Sequence, residues 1–180
     1  MKKALIIIDF NNDFVADNGK LTCGAVAQAI DEKIANLVEE FTKNGDFIVN
    51  ACDNHTKDDM YSIEKGLFPA HCYDDEGKDL YGKTKEAVSK VDKNQYLYIP
   101  KERFSAFAGT ILNQKLRERK VDELVLVGVC TDICVLHCAV DAYNLGYKIS
   151  VVRDGVASFN QVGHEFALSH FENILGATII

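Results

Sequence analysis

The sequence predicts an α/β fold, a mostly parallel sheet between two layers of helices, and three observations carry that prediction. Short runs rich in β-branched residues alternate with longer segments of helical period along the whole chain. The strand runs are apolar at consecutive rather than alternate positions, as required where both faces of a sheet are covered. The 180 residues have 47% hydrophobic content and only two prolines, with no repeat, low-complexity tract or linker rich in Pro, Gly or Ser, so residues 1–180 are expected to form a single domain.

Taken in order, the first strand is expected at 3–9 (KALIIID), ending on a carboxylate. A helix over about 25–43 follows, with Val26, Ile30, Ile34, Leu37, Val38 and Phe41 on one face and Asn44-Gly45 as its stop. Strands are expected at 46–52 (DFIVNAC), 95–101 (QYLYIPK), 123–129 (ELVLVGV) and 148–154 (KISVVRD), with a last short one in the terminal ATII. Helices are expected near 110–119, over 132–145 and over 161–174. The region 54–94 is long, polar and weakly periodic, and a segment of that size in a compact domain is expected to be a functional loop or lid.

Composition excludes several classes. The 20 basic and 27 acidic residues give a net charge of −7, and no basic cluster offers a phosphate-binding face, so nucleic acid is not an expected partner. The N-terminal MKKALIIID has the lysines of a signal peptide, but its apolar run stops after five residues. No stretch approaches the roughly 20 apolar residues needed to span a bilayer. The expectation is a cytoplasmic protein whose six cysteines are reduced thiols, ligands or nucleophiles rather than a disulfide framework.

In open parallel sheets ligands bind at the carboxyl ends of the strands. The residues found there are Asp9, then Asp53-Asn54-His55, then Lys101, then Cys130 to Cys134. A base, a metal-ligand pair, a cation and a thiol on one edge form the constellation of covalent acyl transfer from a cysteine. The motif GVCTDICVLHCA sets Cys130, Cys134 and Cys138 four residues apart, a spacing that by itself is more often a packed helix face than a site, and it lacks the two-residue spacers of a zinc ribbon. Asp9, taken alone, reads equally as a base or as a loop-capping carboxylate, and Lys101 equally as a surface lysine.

Five segments in sequence order, LIIIDFNNDF around Asp9, CDNH at 52–55, LFPAHC at 67–72, PKERFSAFAGT at 100–110 and LVGVCTDICVLHCAVDAYNLGY at 126–147, resemble the isochorismatase-like cysteine hydrolases, and within them the nicotinamidases. The resemblance covers nearly the whole chain. It implies a six-stranded, Rossmann-like sheet with helices on both faces, an Asp9–Lys101–Cys134 triad, a divalent metal beside it and a cis peptide bond at Val129-Cys130.

Within that frame Asp132 or Thr131 is expected to cap the helix that follows. Cys134 then falls in the first turn, where the helix dipole, unpaired N–H groups and Lys101 favour a thiolate. Cys134 is the expected nucleophile, Cys138 a core residue, and the backbone N–H groups of Cys130 and Cys134 the expected oxyanion hole. Asp13 is assigned to loop structure. Asp53, His55 and His71 are the expected metal ligands, their N/O donors suiting Zn²⁺, or else Fe²⁺ or Mn²⁺. Many nicotinamidases place another His shortly after the Asp-x-His pair, whereas this chain has Thr56-Lys57-Asp58-Asp59. Glu64 is therefore the preferred fourth ligand, over Asp58, Asp59 and Cys72. His137, His164 and His170 are read as ordinary helix-face residues. Phe14, Phe68 and Phe104 are expected to hold a flat ring.

The activity implied is metal-dependent hydrolysis of nicotinamide to nicotinate and ammonia through a thioester, feeding NAD salvage. The alternatives are another hydrolase of the same superfamily acting on an N-carbamoyl or ureido amide or a vinyl ether, and a non-catalytic ligand-binding member. The expected partners are the small amide and further copies of the chain, with neither nucleic acid nor membrane.

Overall fold

The computed structural model describes residues 2–73 and 76–180, without the side chain of Lys65; Asp74 and Asp75, two positions of the expected lid, lie outside the described residues. In chain order the elements begin with β1 (Lys2–Ile8), α1 (Asn12–Val15), α2 (Ala25–Gln28), α3 (Asp31–Asn44) and β2 (Phe47–Asp53). They continue with α4 (Gly82–Val88), β3 (Tyr96–Lys101), α5 (Leu112–Glu118), β4 (Val121–Val129), α6 (Leu136–Asn144), β5 (Lys148–Ala157), α7 (Gln161–Asn173) and β6 (Thr178–Ile179).

The strands form one sheet in the order β3-β2-β1-β4-β5-β6, and every neighbouring pair is parallel. The chain winds outward from β1 to β3, then returns to place β4 on the other side of β1, which makes the β1/β4 boundary the topological switch point. The two-residue strand period explains why β1 from Ala4 and β4 from Leu124 are apolar at consecutive positions. Ala4, Ile6, Ile8, Leu124 and Leu126 pack with α5, α6 and α7, whereas Leu5, Ile7, Val125 and Val127 pack with the N-terminal helices α1 to α4 on the opposite face. Gly128, at φ +116, fits between these central strands because a Cβ there would strike the Ile8 carbonyl. That close approach sets the end of β1 directly beside the end of β4.

Several elements differ from the sequence expectation. The helix at 25–43 is two helices, with a break at Ala29-Ile30, and Val26 lies 47% exposed rather than on the buried face. The expected stop is present: Gly45, at φ +75, returns its N–H to Thr42, and Asp46 donates to Phe41 at 3.0 Å. Inside the 54–94 region, α4 has only Thr84, Ala87 and Val88 buried, too few to show a period. Its N-terminus is capped from α3, where the Asp31 carboxylate accepts from Lys83 N–H at 2.8 Å and Thr84 N–H at 2.9 Å. Among the described residues no helix is long and apolar enough to cross a membrane.

Candidate active site

Four strand ends converge at the switch point. Asp9 follows β1 at φ +52, a left-handed conformation that aspartate tolerates better than most residues, and this turns its side chain back under the sheet edge. Its N–H donates to Ala51 at 2.9 Å, and its Oδ1 accepts from Asp53 N–H at 2.8 Å. Lys101, the last residue of β3, is 1% exposed. Its Nζ lies 2.7 Å from Asp9 Oδ2, bonds the Asp53 carboxylate, donates to the Arg103 carbonyl at 3.1 Å and sits 3.9 Å from Cys134 Sγ. Asp9 Oδ2, although close to Lys101, has no aligned hydrogen-bond donor, and the Cys134 thiol faces the same carboxylate.

Electrostatics separate these groups. Burial, reinforced by Asp53, pushes the Asp9 carboxyl up to about 6 against the opposing pull of Lys101. Burial also works against the charge on Lys101, but Asp53 and Asp9 outweigh it and hold the ammonium well above the ordinary lysine range. At Cys134 burial opposes the helix N-terminus and Lys101, the two influences that favour a thiolate. Burial pushes its thiol well above the usual cysteine range, and Lys101 offsets this only in part because Asp9 and Asp53 oppose it. A thiol pushed up in this way passes its proton most readily to a group placed to receive it, and Asp9 faces it.

The turn carrying Cys134 also differs from expectation. Thr131–Val135 is a π-helical turn preceding α6, flanked by Cys130 without a side-chain cap. Neither expected cap performs that role: Thr131 Oγ1 pairs with His164 Nδ1 at 2.8 Å, and Asp132 accepts from Asn160 Nδ2 at 3.2 Å. Both bonds tie the turn to α7 and the residue before it. The N–H groups of Ile133 and Val135 converge on the Cys130 carbonyl at 3.0 and 3.2 Å, and the Val129-Cys130 peptide bond is cis. Cys138 is fully buried, with Ala106 N–H donating to its sulfur at 3.0 Å.

Beside Lys101, Asp53, His55, Glu64 and His71 each present one ligand atom, all within 4.8 Å of one another. The remaining ligand candidates considered from sequence stand outside this group: Asp58 is exposed, Asp59 accepts from Tyr61 N–H, and Cys72 Sγ accepts from Asn11 Nδ2 at 3.3 Å. His71 Nδ1 is 2.7 Å from the Pro69 carbonyl, a contact that places its proton there and turns the Nε2 lone pair toward Asp53 Oδ2 at 3.6 Å. His55 Nε2 lies 3.4 Å from Glu64 Oε2 and 3.7 Å from Asp53 Oδ2, buried and without a hydrogen-bond partner.

Acceptors facing acceptors form a group that can hold a cation at its centre. Burial lowers His71 basicity, yet Asp53 and the Pro69 carbonyl outweigh it and raise it. Burial likewise pushes the Asp53 carboxyl up, but Lys101 and the two imidazoles hold it well below the carboxylate range. Two imidazoles and two carboxylates fit a divalent ion of the Zn²⁺, Fe²⁺ or Mn²⁺ kind.

A cavity of about 430 Å³ joins the two groups. Asp9, Cys134, Glu64 and His71 open into it, and Phe14, Phe68 and Phe104 form aromatic walls, with Phe14 and Phe68 rings 5.4 and 6.4 Å from the His71 ring. Leu21, Thr22, Ile133 and Phe159 also line it, and no sequence signal marks them. Asp13, assigned to loop structure, reaches the metal-ligand loop itself: its Oδ2 accepts from Cys72 N–H at 2.7 Å, next to His71, and lies 3.5 Å from Lys20 Nζ.

A doubly wound parallel sheet carrying a buried Asp–Lys–Cys group at its switch point defines the class, and the isochorismatase domain family matches residues 3–180, so the chain belongs to that family. The protein PncA of Bacillus subtilis, described as an uncharacterized member of the same family, is 56% identical over 181 residues, covering 99% of each chain. The crystal structure of nicotinamidase/pyrazinamidase PncA from Bacillus subtilis superposes with a TM-score of 0.97 at 52% identity, covering 99% of each chain. A pyrazinamidase/nicotinamidase structure from Streptococcus mutans gives 0.97 at 50% identity, covering 99% of this chain and all (100%) of that one. A pyrazinamidase from Pyrococcus horikoshii, solved in complex with zinc, gives 0.85 at 27% identity over 100% and 99% of the two chains.

Proposed function

We propose that this protein hydrolyses nicotinamide to nicotinate and ammonia through a thioester on Cys134. The observation that carries the reading is the placement of Asp9 and Cys134 in one cavity, with buried Lys101 in contact with both, beside four side chains that can hold a metal and between aromatic walls. The names of the relatives support it. Bound nicotinamide lies with its ring among Phe14, Phe68 and Phe104 and its carboxamide over the Cys134 sulfur. Asp53, His55, Glu64 and His71 would hold one divalent ion, zinc by preference, which would supply a Lewis-acid contact for the pyridine nitrogen.

Asp9 Oδ2 takes the Cys134 proton as the sulfur attacks the carboxamide carbon, a concerted step that a buried thiol requires. The Cys130 and Cys134 N–H groups stabilise the oxyanion. Asp9 then gives its proton to departing ammonia, takes one from water as that water attacks the thioester, and returns it to the leaving Cys134 sulfur. Lys101 keeps Asp9 and Asp53 apart electrostatically and holds the Asp9 carboxylate in register with the thiol. The product can feed NAD salvage in the cytoplasm.

Ammonia release from nicotinamide, with and without a chelator and beside Cys134→Ala, tests the assignment. Turnover that needs both Cys134 and metal supports it. Absence of turnover on nicotinamide, with activity on an N-carbamoyl amide instead, overturns it in favour of another member of the superfamily.

A further inference from the structure

Two cysteine sulfurs that this mechanism does not use meet at the cavity wall. Cys23 Sγ and Cys130 Sγ lie 3.2 Å apart although 107 residues separate them in sequence. Both thiols are reduced, and each retains about 8% exposure, whereas Cys72 and Cys138 have none. Cys130 opens directly into the cavity, and so do Leu21 and Thr22, which immediately precede Cys23. The loop holding Cys23 is anchored at its other side, Cys23 N–H donating to Phe14 at 2.8 Å, so one cavity wall moves with this cysteine. Cys52 and Cys72 offer no comparable pair, since both sulfurs accept from the Asn11 side-chain amide and neither lines the cavity.

We propose that Cys23 and Cys130 form a peroxide-sensitive dithiol, whose oxidation to a disulfide ties the Leu21–Cys23 wall to the turn carrying Cys134 and stops turnover. The Cys23 sulfur attacks the peroxide O–O bond, releasing water from hydrogen peroxide and leaving a sulfenic acid. The Cys130 sulfur then displaces the hydroxyl, which departs as water. In sum, two thiols lose two hydrogens, and hydrogen peroxide is reduced to two waters. The reactivity order is consistent with this assignment. A hydrogen bond from Cys130 holds the Cys23 thiol below the usual cysteine range despite burial, whereas burial pushes the Cys134 thiol up. Bond formation draws the two sulfurs about 1 Å closer, and a displacement of that size at a positioning wall costs on the order of 10²-fold in rate.

Formation of the bond is independent of the proposed function; only the loss of nicotinamide turnover rests on it. The metal-loaded protein is treated with hydrogen peroxide, its remaining thiols are capped with iodoacetamide, and it is cleaved before Asp132 so that Cys130 and Cys134 fall on different peptides. The expected result is a Cys23–Cys130 linked peptide that accumulates as nicotinamide turnover falls by at least about tenfold, with both changes reversed by dithiothreitol. Cys23→Ala starts with ordinary activity and shows no dithiothreitol-reversible loss. Inactivation without the linked peptide, the linked peptide without inactivation, or an equal reversible loss in Cys23→Ala overturns the proposal. Should the reduced protein release no ammonia from nicotinamide, the proposed function fails while this inference is still tested: the rate at which iodoacetamide labels Cys134 is then expected to fall about tenfold in the oxidised protein, and an unchanged rate overturns it.

Discussion

Replacing Lys101 with methionine keeps an unbranched apolar stem in a fully buried site and removes an ammonium that both Asp9 and Asp53 contact. Breaking one side of a buried ion pair costs about 3–5 kcal/mol, because the partners are left as uncompensated charges. That is a large part of the 5–15 kcal/mol typical of a domain. The cost depends on pH in a definite direction. Lys101 is the main influence that lowers the Asp9 pKa, so without it Asp9 in the folded state keeps its proton to a pH still further above that of the unfolded chain than the value of about 6 it has with Lys101 present. Stability then falls as pH rises, and the deficit relative to wild type is larger at pH 8 than at pH 5. Zinc at a hundredfold excess over its dissociation constant restores about 2.7 kcal/mol by neutralising Asp53, yet leaves Asp9 without its partner. Urea denaturation at both pH values, with and without zinc, measures each part, and ammonia release measures activity. A variant within about 0.5 kcal/mol of wild type, or one retaining wild-type turnover once zinc is restored, refutes the role given to Lys101.

His71→Ala should lose zinc and nicotinamide turnover while losing little further on benzamide, which has the carboxamide but no ring nitrogen; equal proportional losses of kcat/KM on the two would remove the ring-nitrogen contact. Asp13→Ala strands the buried Cys72 N–H that now donates at 2.7 Å, with an expected loss of about 1–3 kcal/mol and a zinc affinity weakened about 10–100-fold; competition titration against a chelator reads the second effect, and an unchanged affinity would make Asp13 a loop residue only. Gly128→Ala places a Cβ against the Ile8 carbonyl at φ +116, and should cost on the order of 2 kcal/mol or more in urea denaturation.

The strands and their terminal residues were legible in the sequence for one physical reason: a sheet buried on both faces needs continuous apolar runs, and those at 4–8 in β1 and 124–129 in β4 stop at Asp9 and Cys130. The four side chains of the acidic-imidazole cluster were reached by two routes. Asp53 and His55 stand at a strand end, whereas Glu64 was preferred because an expected histidine is missing, not because of any local pattern. What escaped depends on contacts distant in sequence. The cap of α4 comes from Asp31, 52 residues before the Lys83 N–H that it accepts. The Cys134 turn has no local cap, because Thr131 and Asp132 are spent on His164 and Asn160. The upward shift of the Cys134 thiol was not legible because sequence rules see the helix and the lysine, while the burial and two carboxylates that oppose them exist only after folding.

Covalent catalysis by Cys134 is tested most directly by diverting the acyl group. With nicotinamide and added hydroxylamine, the wild-type protein should form nicotinohydroxamate at the expense of nicotinate, and rapid acid quench should show a nicotinoyl adduct confined to the peptide bearing Cys134. Ammonia released with no hydroxamate and no adduct at any quench time, or an adduct on Cys130 or Cys138, would contradict the mechanism.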